Sequence, residues 1–326
     1  MLHGFINVNK NSGMTSHDVV ARLRKILSMK RIGHTGTLDP QVTGVLPVAI
    51  GQATKLTEYL LDSNKTYEGT LVLGISTDTE DITGNITNIL ASNDIPDITN
   101  EISNITKIEN TMRQLTGEIE QIPPMYSAVK IKGKKLYELA RAGKEIERTP
   151  RLVNIYSFTC LDISTVEIGQ FSYPLIAFRV TCSKGTYVRT LCVQLGELLK
   201  LPACMYSLIR TESARFQIKD SLSLDLIEQL ANNKQIEQFL IKMDKPLVDM
   251  PSIHLSDMWT GRIWNGMPYR EKIDVNNRMY SEMVGQLFRI YDSDGDFFAI
   301  YRLTSIDNMH YQWKAEKVFK EVIRYE

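Results

Sequence analysis

Two stretches, residues 153–161 and 175–181, carry apolar side chains at alternate positions, and Gly169 lies between them. Period-two alternation puts one face of an extended chain into a core and the other into water. Two such stretches joined through a glycine predict a hairpin or a strand pair with a turn near Gly169. A hairpin is unstable alone and needs more strands or helices against its apolar face, so an all-helical fold is excluded.

The rest of the chain supplies both kinds of partner. Strands are predicted at 5–9, 45–50 and 67–74. Helices are predicted at 54–61, 108–115, after Gly133 (with Leu136, Leu139 and Ala140 on one face), at 187–199 and once or twice over 224–241. Another helix starts at Thr15 or Ser16, where a short hydroxyl can accept from a free first-turn amide. Asp18, three residues after Thr15, completes a capping-box pattern. Val19, Val20, Leu23, Ile26 and Leu27 then share one helical face. Strands and helices are both present, and an α+β fold is expected.

At 326 residues, the length suggests about two domains at roughly 150 residues each. The texture changes near residue 249 to short strands and turns, so residues 1–248 and a small β-rich unit at 249–326 are expected. Within that unit, Asp292, Asp294 and Asp296 suggest a calcium loop. However, Leu303 stands where such a loop needs a bidentate Glu, and a hairpin turn on Asp294-Gly295 is expected instead.

Charge is balanced overall, with 38 basic and 38 acidic side chains, but it is segregated. Residues 1–60 hold seven Lys/Arg against three acids, and residues 126–151 hold eight against three. Residues 77–109 hold seven acids against one Lys, and 84–109 reads as an acidic surface excursion with little helical signal before Thr106. Such segregation suits a polyanion on one side, or simply an uneven solvated surface. No apolar run approaches the ~20 residues of a membrane span, and no secretory leader is expected at the start. Cys160, Cys182, Cys192 and Cys204 are too scattered for a disulfide framework or a metal knuckle, so a reducing cytoplasm is expected.

Residues 31–44 have neither helical nor strand period, and their three glycines and a proline make a shaped loop. Asp39 precedes Pro40, which restricts its backbone to extended geometry and suits either a carboxylate aimed in one direction or an ordinary Asp-Pro turn. His34 shares the loop, as a donor or a structural imidazole. Tyr187 and Arg189 stand at a helix entrance, where Arg189 can pair with a carboxylate through two parallel hydrogen bonds or make a simple helix-start ion pair. Tyr67 opens a strand, as a core residue or a ring for stacking on a base.

In combination these residues sit in five motifs that resemble the TruB family of tRNA pseudouridine synthases. The motifs are Gly33-His34-Thr35-Gly36-Thr37-Leu38-Asp39-Pro40 with Thr43-Gly44-Val45-Leu46-Pro47; Lys65-Thr66-Tyr67-Glu68-Gly69; Thr77-Asp78-Thr79 with Asp81 and Gly84; Gln121-Ile122-Pro123-Pro124-Met125-Tyr126-Ser127-Ala128-Val129-Lys130; and Cys182-Ser183-Lys184-Gly185-Thr186-Tyr187-Val188-Arg189-Thr190-Leu191. They occur in order over residues 4–216. The sequence departs from the family pattern at Asn9, Asn11 and Gln194.

The resemblance implies a pseudouridine-synthase fold, a mixed and largely antiparallel central sheet flanked by helices, with a PUA-like RNA-binding domain at 249–326. It implies an isomerase that converts uridine-55 in the T-arm loop of tRNA after flipping the base. Asp39 would be the catalytic residue. Tyr67, Tyr187, Arg189, His34, Leu208 and Lys10 would bind substrate. Lys130, Lys132, Lys134, Lys135 and Arg141 would follow RNA phosphates. No metal or organic cofactor, no membrane and no obligate protein partner is implied, and the chain is expected to be a monomer. Other readings are an RNA-binding or tRNA-folding module without essential catalysis, and a guide-RNA-dependent relative.

Overall fold

The computed structural model describes residues 1–91, 102–127, 129–131, 133–141, 143, 146–255, 257–272, 280, 282–307 and 309–319. Along the first part of the chain lie β1 (Gly4–Lys10), α1 (Ser16–Ile26), β2 (Ile32–His34), β3 (Thr43–Ile50), α2 (Thr57–Leu61), β4 (Lys65–Leu73), β5 (Ile75–Thr77), β6 (Ile86–Ile89), α3 (Ile102–Gln114) and β7 (Gly117–Gln121). There follow β8 (Lys130–Ile131), β9 (Lys134–Lys135), α4 (Leu136–Arg141), β10 (Arg151–Ile168), β11 (Phe171–Cys182), α5 (Val188–Leu199), β12 (Ala203–Ser213), β13 (Phe216–Gln217) and α6 (Leu224–Asn232). The last part holds β14 (Ser252–His254), α7 (Asp257–Trp264), β15 (Tyr269–Lys272), β16 (Leu287–Tyr291), β17 (Phe297–Ile306) and β18 (His310–Val318).

A nine-stranded sheet runs in the order β1-β3-β12-β4-β11-β10-β7, with β2 on β3 and β13 on β12. Among the described residues, every pairing in it is antiparallel except β3 with β12, which is the mixed, largely antiparallel sheet expected. The alternating stretches form the β10–β11 hairpin with Gly169 at φ 66 in its turn. Helix α1 starts on the capping box: Thr15 Oγ1 accepts from the Asp18 amide at 3.1 Å, and the Thr15 amide donates to Asp18 Oδ2 at 2.8 Å. Val19, Val20 and Leu23 of α1 join Leu46 and Val48 of β3, Leu71 of β4, Phe178 of β11 and Leu191 of α5 in one buried cluster.

Residues 200–223, to which no element was assigned from sequence, contain a central strand. β12 pairs with β4 on one side and β3 on the other. Its approach to β3 requires Gly44, which stands at φ 101 and whose missing Cβ leaves room for the Arg210 carbonyl. Helix α3 begins at Ile102, ahead of the expected start near Ile108. The acidic excursion therefore contains the exposed strand β6 and the first turns of α3, while residues 92–101 lie outside the described residues.

Strands β14 to β18 form a second, five-stranded sheet. β16 and β17 flank the Asp292–Asp296 turn as a hairpin, and the Asp292 carboxylate accepts from the Asp294 and Asp296 amides. Ile300 and Phe319 pack with Phe5, Val45 and Ala49 behind the first sheet. Lys55 Nζ donates to the Val318 carbonyl at 2.7 Å, and Lys317 pairs with Glu58 at 2.8 Å. Trp313 is core, and Trp264 stacks on Phe298; the Trp259 side chain lies outside the described residues.

Candidate active site

The loop joining β2 to β3 is held from below on both flanks. Leu38 and Val42 are buried in the main cluster. Ser16 Oγ, one residue past the α1 cap, accepts from the Leu38 amide at 2.9 Å, and the Gly13 amide donates to the Pro40 carbonyl at 2.9 Å. Lys10 is fully buried at the end of β1, where Nζ donates to the carbonyls of Asn11, Met14 and Pro40 at 2.9, 2.8 and 3.0 Å. All three of its donors are used under the loop, which makes it a support for Asp39–Pro40. Burial, partly offset by Asp39, brings its pKa down to about 8.

These anchors leave Asp39 half-exposed, and its Oδ2 lies 2.9 Å from Arg189 Nη2. Arg189, in the first turn of α5, is buried and has two further acceptors. Nη1 donates to the Thr79 carbonyl at 2.8 Å and Nη2 to the Tyr126 carbonyl at 2.9 Å. One guanidinium thus gathers the Asp39 loop, the Thr77-Asp78-Thr79 turn and the Pro-Pro-Met-Tyr-Ser segment. An arginine suits that task because its planar fork offers several donors in fixed directions.

Tyr67 lies on β4 directly opposite Arg210 of β12 and Val180 of β11. The residue is partly exposed, but burial around its hydroxyl pushes the phenol up, and the nearby Arg210 guanidinium opposes part of that shift. Leu208, opposite Gly69, packs on the same face. The missing Cβ of Gly69 is what lets Leu208 and the Ser207 carbonyl come close. Tyr187 caps α5. The buried Gln121 side chain accepts from its amide at 3.0 Å and donates to its carbonyl at 3.3 Å. Burial also raises the Tyr187 phenol.

His34 lies at the end of β2, and its ring meets His17 edge-on at 5.5 Å. Its Nδ1 accepts from the Gly36 amide at 3.3 Å, so the neutral ring carries its proton on Nε2. Burial first, then His17 and Arg210, hold its pKa down at about 4.

The structure therefore brings Asp39, Tyr67, Arg189, Tyr187, Leu208 and His34 to one region and puts Lys10 beneath it. Of the phosphate-contact residues, Lys132 lies outside the described residues, as do the side chains of Lys130, Lys134, Lys135 and Arg141. In the first basic stretch, Arg22 pairs with Asp225 and Glu228, and Arg24 donates to the Ile32 carbonyl. Among the described residues, no group of three or more His, Cys, Asp or Glu is placed to hold a metal, and no helix is long and apolar enough to cross a membrane.

Sequence reasoning missed Arg210. This side chain is buried, its Nε donates to the Val45 carbonyl at 2.8 Å, and its Nη2 donates to the Gly36 carbonyl at 3.2 Å. A lone cation two residues after Leu208 was the available signal, but it needs β12 to be recognised as a strand.

The model of the TruB family pseudouridylate synthase N-terminal domain matches residues 24–188. A Bacillus cytotoxicus protein named tRNA pseudouridine synthase B is 44% identical over 301 residues, 92% of each chain. A protein of the same name from Geobacillus thermodenitrificans is 46% identical over 265 residues, 81% of this chain and 85% of that one. Among solved structures, a chain of a Cbf5-Nop10-Gar1 complex is similar at TM-score 0.66 and 25% identity, covering 97% of this chain and 84% of that one.

Proposed function

Because the chain belongs to the TruB family of pseudouridylate synthases, we propose that it isomerises uridine-55 in the T-arm loop of tRNA to pseudouridine. It does so in the cytoplasm, as a monomer, without guide RNA. The observation that carries this reading is the half-exposed Asp39 carboxylate paired at 2.9 Å with the buried Arg189. The pair is open to a large substrate and fixed in direction from behind.

The reaction conserves all atoms. The bond from C1′ to N1 breaks, the uracil turns, and C5 bonds to C1′. C5 then gives up its proton and N1 takes one up. Asp39 serves either as a carboxylate nucleophile at C1′ or as the base that takes a proton from C2′. Extracting the base costs a few kcal/mol of stacking, which a T-loop reduces and which stacking on Tyr67 helps recover. Leu208 and Tyr187 bound the base. His34 Nε2–H is a neutral donor for the loop RNA. Arg189, Lys10 and Arg210 hold the Asp39 loop and the Tyr67 strand in register.

Lys130, Lys132, Lys134, Lys135 and Arg141 supply phosphate contacts, which give affinity with little sequence information. Residues 249–326 serve as a PUA-like RNA-binding unit beside a catalytic unit at 1–248. The guide-dependent reading is disfavoured by the much higher identity to relatives named tRNA pseudouridine synthase B than to the Cbf5-complex chain. The test is to incubate the purified protein alone with unmodified tRNA and map pseudouridine. Conversion confined to position 55 is expected. Conversion elsewhere, or only after guide RNA is added, overturns the proposal.

A further inference from the structure

Two consecutive residues of the β5–β6 turn hold two consecutive residues of α5. The Thr79 carbonyl accepts from Arg189, and Glu80 Oε2 accepts from Thr190 Oγ1 at 2.6 Å. Glu80 is largely buried and stands at φ 62, a backbone region that residues with a Cβ seldom occupy. The turn is kept there by β12. The Met205 amide donates to the Glu80 carbonyl at 3.0 Å, and the Ile82 amide donates to the Met205 carbonyl at 2.8 Å. The carboxylate is thus delivered to Thr190 by a strained turn pinned to a central strand. Burial pushes its pKa up, while Thr190, Arg189 and Arg148 favour the charged form.

Nothing in the isomerisation described above uses Glu80. We infer that Glu80 is a positioning residue for the Asp39–Arg189 pair. With Thr190 it latches the first turn of α5 at the register from which the Arg189 guanidinium reaches Asp39. Gln121 holds the helix start through the Tyr187 backbone, and Glu80 holds it one residue beyond Arg189. Between these two anchors Arg189 has little freedom to slide or rotate. The inference rests on the reading of Asp39 as the catalytic group.

The test compares wild type with Glu80→Ala, Glu80→Gln and Thr190→Val under multiple-turnover conditions on unmodified tRNA, with folding checked by circular dichroism. Glu80→Ala is expected to lower kcat by about tenfold to a hundredfold, the scale of a small misplacement of a reacting group. KM for tRNA is expected to stay within about twofold, because the latch acts through Arg189 on the reacting group. Glu80→Gln keeps an acceptor for Thr190 and restores most of kcat. In an Arg189→Lys background, Glu80→Ala costs little more, since both act on one contact. If Glu80→Ala does not fold, Thr190→Val removes the same bond from the other side and is read in the same way. Unchanged kcat in the truncated variants, a loss confined to KM, or equal losses in Gln and Ala overturns the latch. A wild-type protein that forms no pseudouridine overturns the catalytic reading itself.

Discussion

Arg189 and Asp39 meet at 2.9 Å with very unequal exposure, 8% for the guanidinium and 48% for the carboxylate. The cation is part of the scaffold, and the anion faces outward. An exposed ion pair of this length would contribute little to stability. Here the buried partner is satisfied by two carbonyls besides the carboxylate, so the pair sets direction more than it adds stability.

Asp39→Asn keeps the shape of the side chain and removes its charge. Turnover is expected to fall by at least about a thousandfold, the scale for loss of an essential reacting group, while tRNA binding stays near wild type. Release of the C5 proton of uridine measures the first and filter binding the second. Turnover near wild type refutes the role given to Asp39.

Arg189→Lys retains a charge but loses the fork. A lysine cannot reach Asp39, Thr79 and Tyr126 together, and each buried carbonyl left without a donor costs about 1–3 kcal/mol. A lower melting temperature and a fall in kcat are both expected. Melting and turnover measured on the same preparation check the two effects, and an unchanged melting temperature would show that the carbonyl contacts contribute nothing.

Acid should expose the state of His34. Its pKa is about 4 in the folded protein against 6.5 ordinarily. Between those values the unfolded chain binds a proton that the folded protein does not, so the stability due to His34 is present above about pH 6.5 and is lost as pH falls towards 4. His34→Asn is therefore expected to lose less stability than wild type between pH 7 and pH 4.5. Urea midpoints across that interval give the comparison, and parallel slopes would contradict it.

Lys134→Glu combined with Lys135→Glu addresses the second basic stretch. If both lysines neutralise phosphates, the slope of log K against log salt flattens by about 1.4 to 1.8, near 0.7–0.9 for each phosphate that is no longer neutralised. Binding titrations at several salt concentrations measure it. A slope equal to wild type places the RNA elsewhere.

Elements with a strong local pattern were readable in advance: the β10–β11 hairpin, the α1 face with its cap, and α5 with Tyr187 at its start. β12 was not, for a physical reason. Its residues Ala203-Cys204-Met205-Tyr206-Ser207-Leu208-Ile209-Arg210 group apolar side chains in consecutive runs instead of alternating them, so the period-two signal of a strand is missing. Arg210 went unnoticed with it. The surroundings of Lys10 were not legible either. A lysine is expected at the surface, and only the convergence of three carbonyls from the β1–α1 connection and the Asp39 loop makes its burial tolerable.

Local spacing alone determined which faces would be buried, where α1 would begin, and that Asp39 would be restricted by Pro40, because these follow from backbone geometry over a few residues. Periodicity says which side of a strand is apolar, but not which strand lies beside it. The tertiary order β3-β12-β4 decided that Arg210 would stand against Tyr67, and the packing of α5 decided that Arg189 would reach Asp39. Those partners lie far apart along the chain, and only the packed sheet and helix bring them within hydrogen-bonding distance.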